Sequence, residues 1–260
     1  MAKEKIRLGG MALPNGVLVH GPHAWACAIR HDDGRIEVAS ARKRLQAARI
    51  QNPVLRGPAR LAEALLLLPQ IKAKLPSARL PMESPRTVAS MLGAAVFVRG
   101  LRESGLRPVA RELLTAIASV APAVLALRSG ELAAYHGAEH ISIGSYEHGK
   151  RATREHERCG GHLVGPLVAT SAIGNVLAGL APERMRRHAQ AAAQLGALAA
   201  ATELFGWMTR HPSHPLAQAL AKPGHELQHR FSTAEPSAEQ LEVAEAALKA
   251  CLALEHEAAA

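Results

Sequence analysis

Apolar and polar positions follow one period over the first forty residues and another afterwards. Val17-Leu18-Val19-His20 is a short apolar run that predicts a strand. Residues 25–29 and 35–39 flank His31-Asp32-Asp33-Gly34, and Asp-Gly between two alternating segments predicts a hairpin. Gly9, Gly10, Gly16 and Gly21 punctuate this region, marking turns or close backbone approaches. From Ala41 the apolar positions recur at helical spacing. Residues 59–75 predict a helix interrupted by Pro69, and Pro76, Pro81 and Pro85 predict a linker-like break over 76–86. Helices are expected over 87–103, 108–127, 131–158, 163–181, 185–209 and 237–257. The last opens well, with Ser237 as a cap and Glu239 and Glu242 near the positive end of the dipole. The pattern therefore predicts an α+β, mainly helical fold: a small N-terminal β-ribbon or hairpin region, then an Ala/Leu-rich helical bundle. Its parts are a β segment over 1–40, a helix and Pro-rich linker over 41–86, and a helical domain over 87–260, integrated into one fold.

Composition supports the helical emphasis. The chain has 260 residues, 48% of them apolar but only 3% aromatic, so Ala and Leu fill the core, and both enter helices at little cost. The formal charge of +9 permits contact with an anionic membrane surface. Basic residues are not interleaved with stacking aromatics, so no nucleic-acid partner is expected. Cys27, Cys159 and Cys251 contain no Cys-x-x-Cys pair, which excludes a four-cysteine zinc finger and suits a reducing cytoplasm. No apolar run follows the first charged residues, so no secretory signal is expected. Three stretches, 109–127, 163–181 and 189–208, approach the length of a membrane span. A crossing by 163–181 would put the basic segments 148–158 and 183–188 on opposite sides, against the positive-inside rule, so a soluble or peripheral state is expected.

The strongest chemical signal is His136-Gly137-Ala138-Glu139-His140. Residues four apart share a helix face, so both imidazoles can reach one ion. Glu139 lies near that face, placed to take a proton from water, and the His-x-x-Glu-His order is that of the inverted zinc peptidases. Further ligands are sought in His156, Cys159, Glu203 and His20; Cys159 could instead be a nucleophile, a lone acid such as Glu203 could instead pair with an arginine, and His23 is a weaker donor still. A rival motif, His225-Glu226-Leu227-Gln228-His229, has the zincin pattern, but Pro223-Gly224 before it and Pro236 after it argue against the helix that pattern needs, leaving both histidines as surface residues. No Gly-x-Ser-x-Gly elbow, Gly-x-Gly-x-x-Gly or Walker A loop occurs.

Four blocks, in order, resemble the uncharacterised bacterial YqhQ-like family of predicted metal-dependent enzymes. They are Gly9-Gly10-Met11-Ala12 with residues 15–22; Leu55-Arg56-Gly57; Tyr135 to His140 with Tyr146-Glu147 and Arg158-Cys159-Gly160; and Pro223-Gly224 with residues 233–244. The resemblance implies metal dependence, with His136, Glu139 and His140 as the matching polar residues and Cys159 in the matching Arg-Cys-Gly. It also implies association with the inner membrane, since many relatives are integral membrane proteins with helices on both sides of the central block, and it assigns no reaction. The chain departs from the family at Met11, Asn15 and His20, where relatives carry Gln, Glu and Arg, and at His225-Glu226, where they are apolar and aromatic. Three functions follow as expectations. The first is metal-activated-water hydrolysis, with Glu139 as base and a divalent ion, zinc by its donors. The second is a non-enzymatic, membrane-associated protein with a structural metal site. The third is a basic binding module without metal.

Overall fold

The computed structural model describes residues 5–128 and 130–259. Four strands, β1 (Gly9–Leu13), β2 (Gly16–His20), β3 (Ala24–Arg30) and β4 (Ile36–Arg42), form an antiparallel meander in chain order. The β3–β4 turn is the expected Asp-Gly hairpin, with Gly34 at φ +87°, a region only glycine enters freely. The β1–β2 turn carries Asn15, whose side-chain oxygen accepts from Arg79 N at 2.9 Å and pins residues 77–79 beside it.

Alternation along the strands buries both faces of this sheet. Val17, Val19, Ala26 and Ala28 point to one side, onto α4 (Gly130–His148) and α8 (Ala238–Ala259). Leu18, Trp25, Cys27 and Ile29 point to the other, onto Leu67, Leu68 and Ile71 of α1 (Pro53–Lys74). The β segment is therefore the middle layer of one packed unit rather than a separate appendage.

The remaining helices are α2 (Pro85–Glu103), α3 (Pro108–Leu127), α5 (Val164–Gly179), α6 (Arg186–Arg210) and α7 (Pro215–Leu227). α2 packs on α3, α3 on α5, α5 on α6 and α6 on α1. The mainly helical α+β class is the one expected. Three local expectations need correction. The helix expected over 131–158 stops at His148, because Gly149 adopts φ +70° and reverses the chain. The helix expected over 59–75 starts at Pro53, capped by Asn52, and runs through Pro69. Pro223-Gly224 does not break the chain: it lies inside α7, which continues into a π turn over Gln228–Ser232.

Among the described residues, two helices are long and apolar enough to cross a membrane: α3, of mean hydropathy 1.6 and 28% buried, and Gly160–Gly179, of mean hydropathy 1.3 and 22% buried. The stretch 189–208, inside α6, is not a third.

Candidate metal centre

α4 carries the site, and every residue from Leu132 to Gly144 is buried. Small residues allow that. A Cβ on Gly137 would collide with the carbonyl oxygen of Ala234, so only glycine lets the chain after the π turn cross α4 there. Ala234 N then donates to Ala133 O at 2.9 Å. Gly224 makes the same kind of contact with Gly161 and His162, clamping the turn that follows Cys159.

These crossings fix both histidines. His136 Nδ1 lies 2.7 Å from the carbonyl oxygen of Ser232, and His140 Nδ1 lies 2.7 Å from that of Arg154. A carbonyl only accepts, so each Nδ1 carries the proton and each Nε2 presents a bare lone pair. The rings sit 4.3 Å apart, centroid to centroid. Cys159 Sγ is 3.5 Å from His136 Nε2, and the ligand atoms of His136, His140 and Cys159 all lie within 4.8 Å of one another. Tetrahedral zinc, with bonds of about 2.1 Å to nitrogen and 2.3 Å to sulfur, separates its ligands by roughly 3.4–3.6 Å.

Burial controls the charge of the group. It pushes His136 down and His140 well down, the latter helped by His136, while the carbonyl bonds work in the opposite direction. It also pushes the Cys159 thiol up to about 12, so without a cation the sulfur is protonated. Glu139 is buried too, and burial alone pushes its carboxyl up to about 8. Its carboxyl makes no hydrogen bond among the described residues. Gly10 of β1 leaves it room, since a Cβ there would collide with Oε1. Glu139, His136 and Cys159 together line one end of a cavity of about 700 Å³.

The other candidates are engaged elsewhere. His156 Nε2 meets Glu147 at 3.0 Å and its Nδ1 accepts from Arg158 N, so neither nitrogen is free although its ring is 5.5 Å from that of His140. Glu203 pairs with both arms of the Arg56 guanidinium between α6 and α1, which holds its carboxyl below the usual range; its solution is the arginine rather than the metal. His20 accepts from Lys43 Nζ at 3.1 Å on the sheet. His23 bonds to Glu255. His225 and His229 are exposed, and His229 bonds to Glu155.

Two residues escaped the sequence reading. Gln228 is fully buried; its side chain accepts from His156 N at 2.9 Å and donates to His162 Nδ1 at 3.1 Å, tying the Cys159 turn to the π turn. Arg154 supplies the carbonyl for His140 and reaches Thr233 O with its guanidinium at 2.9 Å. Only the position of Gln228 inside the rival motif could have drawn attention to it, and nothing marks Arg154.

Two imidazole nitrogens with fixed tautomers and one sulfur form a buried group that can bind a metal ion. No curated protein and no solved structure matches the chain. One family does: Protein of unknown function (DUF1385), over residues 112–254, which include α4, the Cys159 turn and the π turn. That match covers more than half of the chain and every residue of the metal group, and the protein accordingly belongs to this family.

Proposed function

We propose that the protein is a metal-dependent hydrolase, with one divalent ion held by His136, His140 and Cys159 and with Glu139 as the proton carrier. The observation that carries this reading is the pair of carbonyl bonds at Nδ1, which leave two Nε2 lone pairs and a sulfur aimed at one point with no hydrogen-bond donor but the thiol itself between them. Two imidazoles and a thiolate suit zinc, and an ion so held supplies a Lewis acid and makes water nucleophilic near neutral pH.

Glu139 does the rest. Its carboxyl lies beside the ligand group but outside it, at the end of the cavity; burial keeps it mostly protonated near neutral pH in the free protein, and the positive charge of a bound ion would favour the carboxylate that a base needs. As the oxygen of water bonds to a carbonyl carbon, Glu139 accepts the proton. It then returns that proton to the departing oxygen or nitrogen as the bond from carbon to it breaks. Metal dependence is also what the resemblance to the YqhQ-like family implies, and that family would associate the protein with the inner membrane.

The test is elemental analysis of the purified full chain. One zinc per chain is expected, lost in His136→Ala and His140→Ala and retained in Glu139→Gln. Absence of stoichiometric metal from the unaltered chain would sink the proposal. Loss of the metal in Glu139→Gln would make Glu139 a ligand and turn the centre into a closed, structural one.

A further inference from the structure

The cavity that ends at Glu139 is apolar along most of its length. Its walls come from Met91, Ala95 and Val98 of α2 and Pro122, Ala123 and Ala126 of α3. None of its lining residues is ionisable except His136, Glu139 and Cys159 at the floor. A second cavity, of about 920 Å³, lies toward His156 and His162 and carries Lys150, Arg151, Arg158 and Lys222, but neither Glu139 nor Cys159 lines it. A polar, anionic molecule thus has a place near the centre, yet the way to the base and the sulfur is through the apolar one.

The outer sides of the same two helices are bare. Leu92, Val96 and Phe97 of α2 and Leu113, Leu114 and Ile117 of α3 are all exposed. Although α3 as a whole is long and apolar enough to cross a membrane, its uncharged stretch, 113–127, and that of α2, 87–98, reach only about 22 and 18 Å at the helical rise, short of the ~30 Å of a bilayer core. At the turn, Arg99, Arg102, Arg107 and Arg111 outnumber Glu103 and Glu112, whereas at the far end Arg86 and Arg128 are balanced by Glu83 and Glu131. An apolar middle with a basic end suits a helix pair that rests its apolar sides in one leaflet of a lipid surface.

We infer that the substrate is an amphiphile with one long apolar chain, which passes from a lipid surface into the cavity between α2 and α3 and sets its polar link beside Glu139. Cleavage of that link rests on the hydrolase reading; binding of the chain does not. The metal-loaded full chain is titrated with dansylundecanoate, and straight-chain fatty acids of increasing length then displace it. Each added methylene is expected to tighten binding by about fourfold until the cavity is full. Ala123→Trp, which fills the cavity from α3, is expected to weaken every acid by about sixteenfold or more, the equivalent of two methylenes or more, with one metal still bound per chain. Ala95→Trp does the same from α2 should the first variant misfold. Affinities independent of chain length, or unchanged in both folded variants, overturn the inference, the second result assigning the binding to the bare outer faces. Chain binding in a protein without metal would leave the inference standing and the hydrolase reading fallen, whereas metal without chain binding would do the reverse.

Discussion

Among the polar clusters that contain histidine, two are built in opposite ways. On the sheet, His20 accepts from Lys43, whose ammonium meets Glu63 at 2.9 Å, while the other oxygen of Glu63 accepts from Ala47 N. Donors face acceptors and a positive charge faces a negative one. On α4 the protons point outward, to the carbonyls of Ser232 and Arg154, and acceptors face one another across a space of atomic size. Buried lone pairs without donors cost free energy. A cluster whose donors and acceptors match is a strut, and one whose acceptors converge is a group that can bind a cation. Both clusters are largely out of solvent and both are built on histidine; the direction of the protons sets them apart.

The largest expected effect breaks the second cluster alone. A strong chelator should remove the ion and lower the melting temperature, since an ion at a thousand times its dissociation constant contributes about 4 kcal/mol, or roughly 8–16 °C in a chain of this size. His20→Ala should leave the metal content at one per chain. Calorimetry with and without chelator checks the first statement and elemental analysis the second; metal loss in His20→Ala would erase the distinction between the clusters.

Next in size is the reverse break. Glu63→Gln leaves the Lys43 ammonium, 2% exposed, without its counter-charge and should cost about 3 kcal/mol. Replacing both partners, Lys43→Met with Glu63→Leu, should recover most of that loss, because a satisfied pair and an apolar pair of similar volume are close in stability. Chemical denaturation of the single and double variants measures it. Equal losses in both would mean that the pair itself stabilises the fold.

The sequence disclosed the second cluster more readily than the first. His136 and His140 were legible because four residues make one helical turn, and Cys159 because the chain resembles a family around it. The partners that make them ligands were not, since the carbonyls of Ser232 and Arg154 belong to the backbone and carry no residue signature. Glu203 looked like a ligand because a lone acid in an alanine-rich helix has no visible partner; Arg56, the partner, is 147 residues away. α7 was missed for a similar reason. Pro223-Gly224 breaks most helices, but here glycine is what allows α7 to touch Gly161 and His162. The strands were legible by alternation, although their period does not say that both faces would be covered.

The smallest effect sharpens the comparison by pH. Burial, then the charge of Lys43, hold His20 down at about 4, while Glu63 and Glu255 act in the opposite direction. An unfolded histidine titrates near 6.5. Between those values the unfolded chain binds a proton that the folded one refuses, so stability at this position is complete above pH 6.5 and is lost as pH falls toward 4. The slope is at most about 1.4 kcal/mol per pH unit within that window and vanishes outside it. His136 and His140 would add a similar slope in the free protein, because burial depresses them too. The measurement is therefore a difference between the unaltered chain and His20→Asn, both metal-loaded, in urea melts from pH 7 to pH 4.5. His20→Asn should show the shallower fall. Identical slopes would mean that Lys43 and Glu63 yield to a protonated His20 at little cost, and that the sheet cluster is softer than its hydrogen bonds imply.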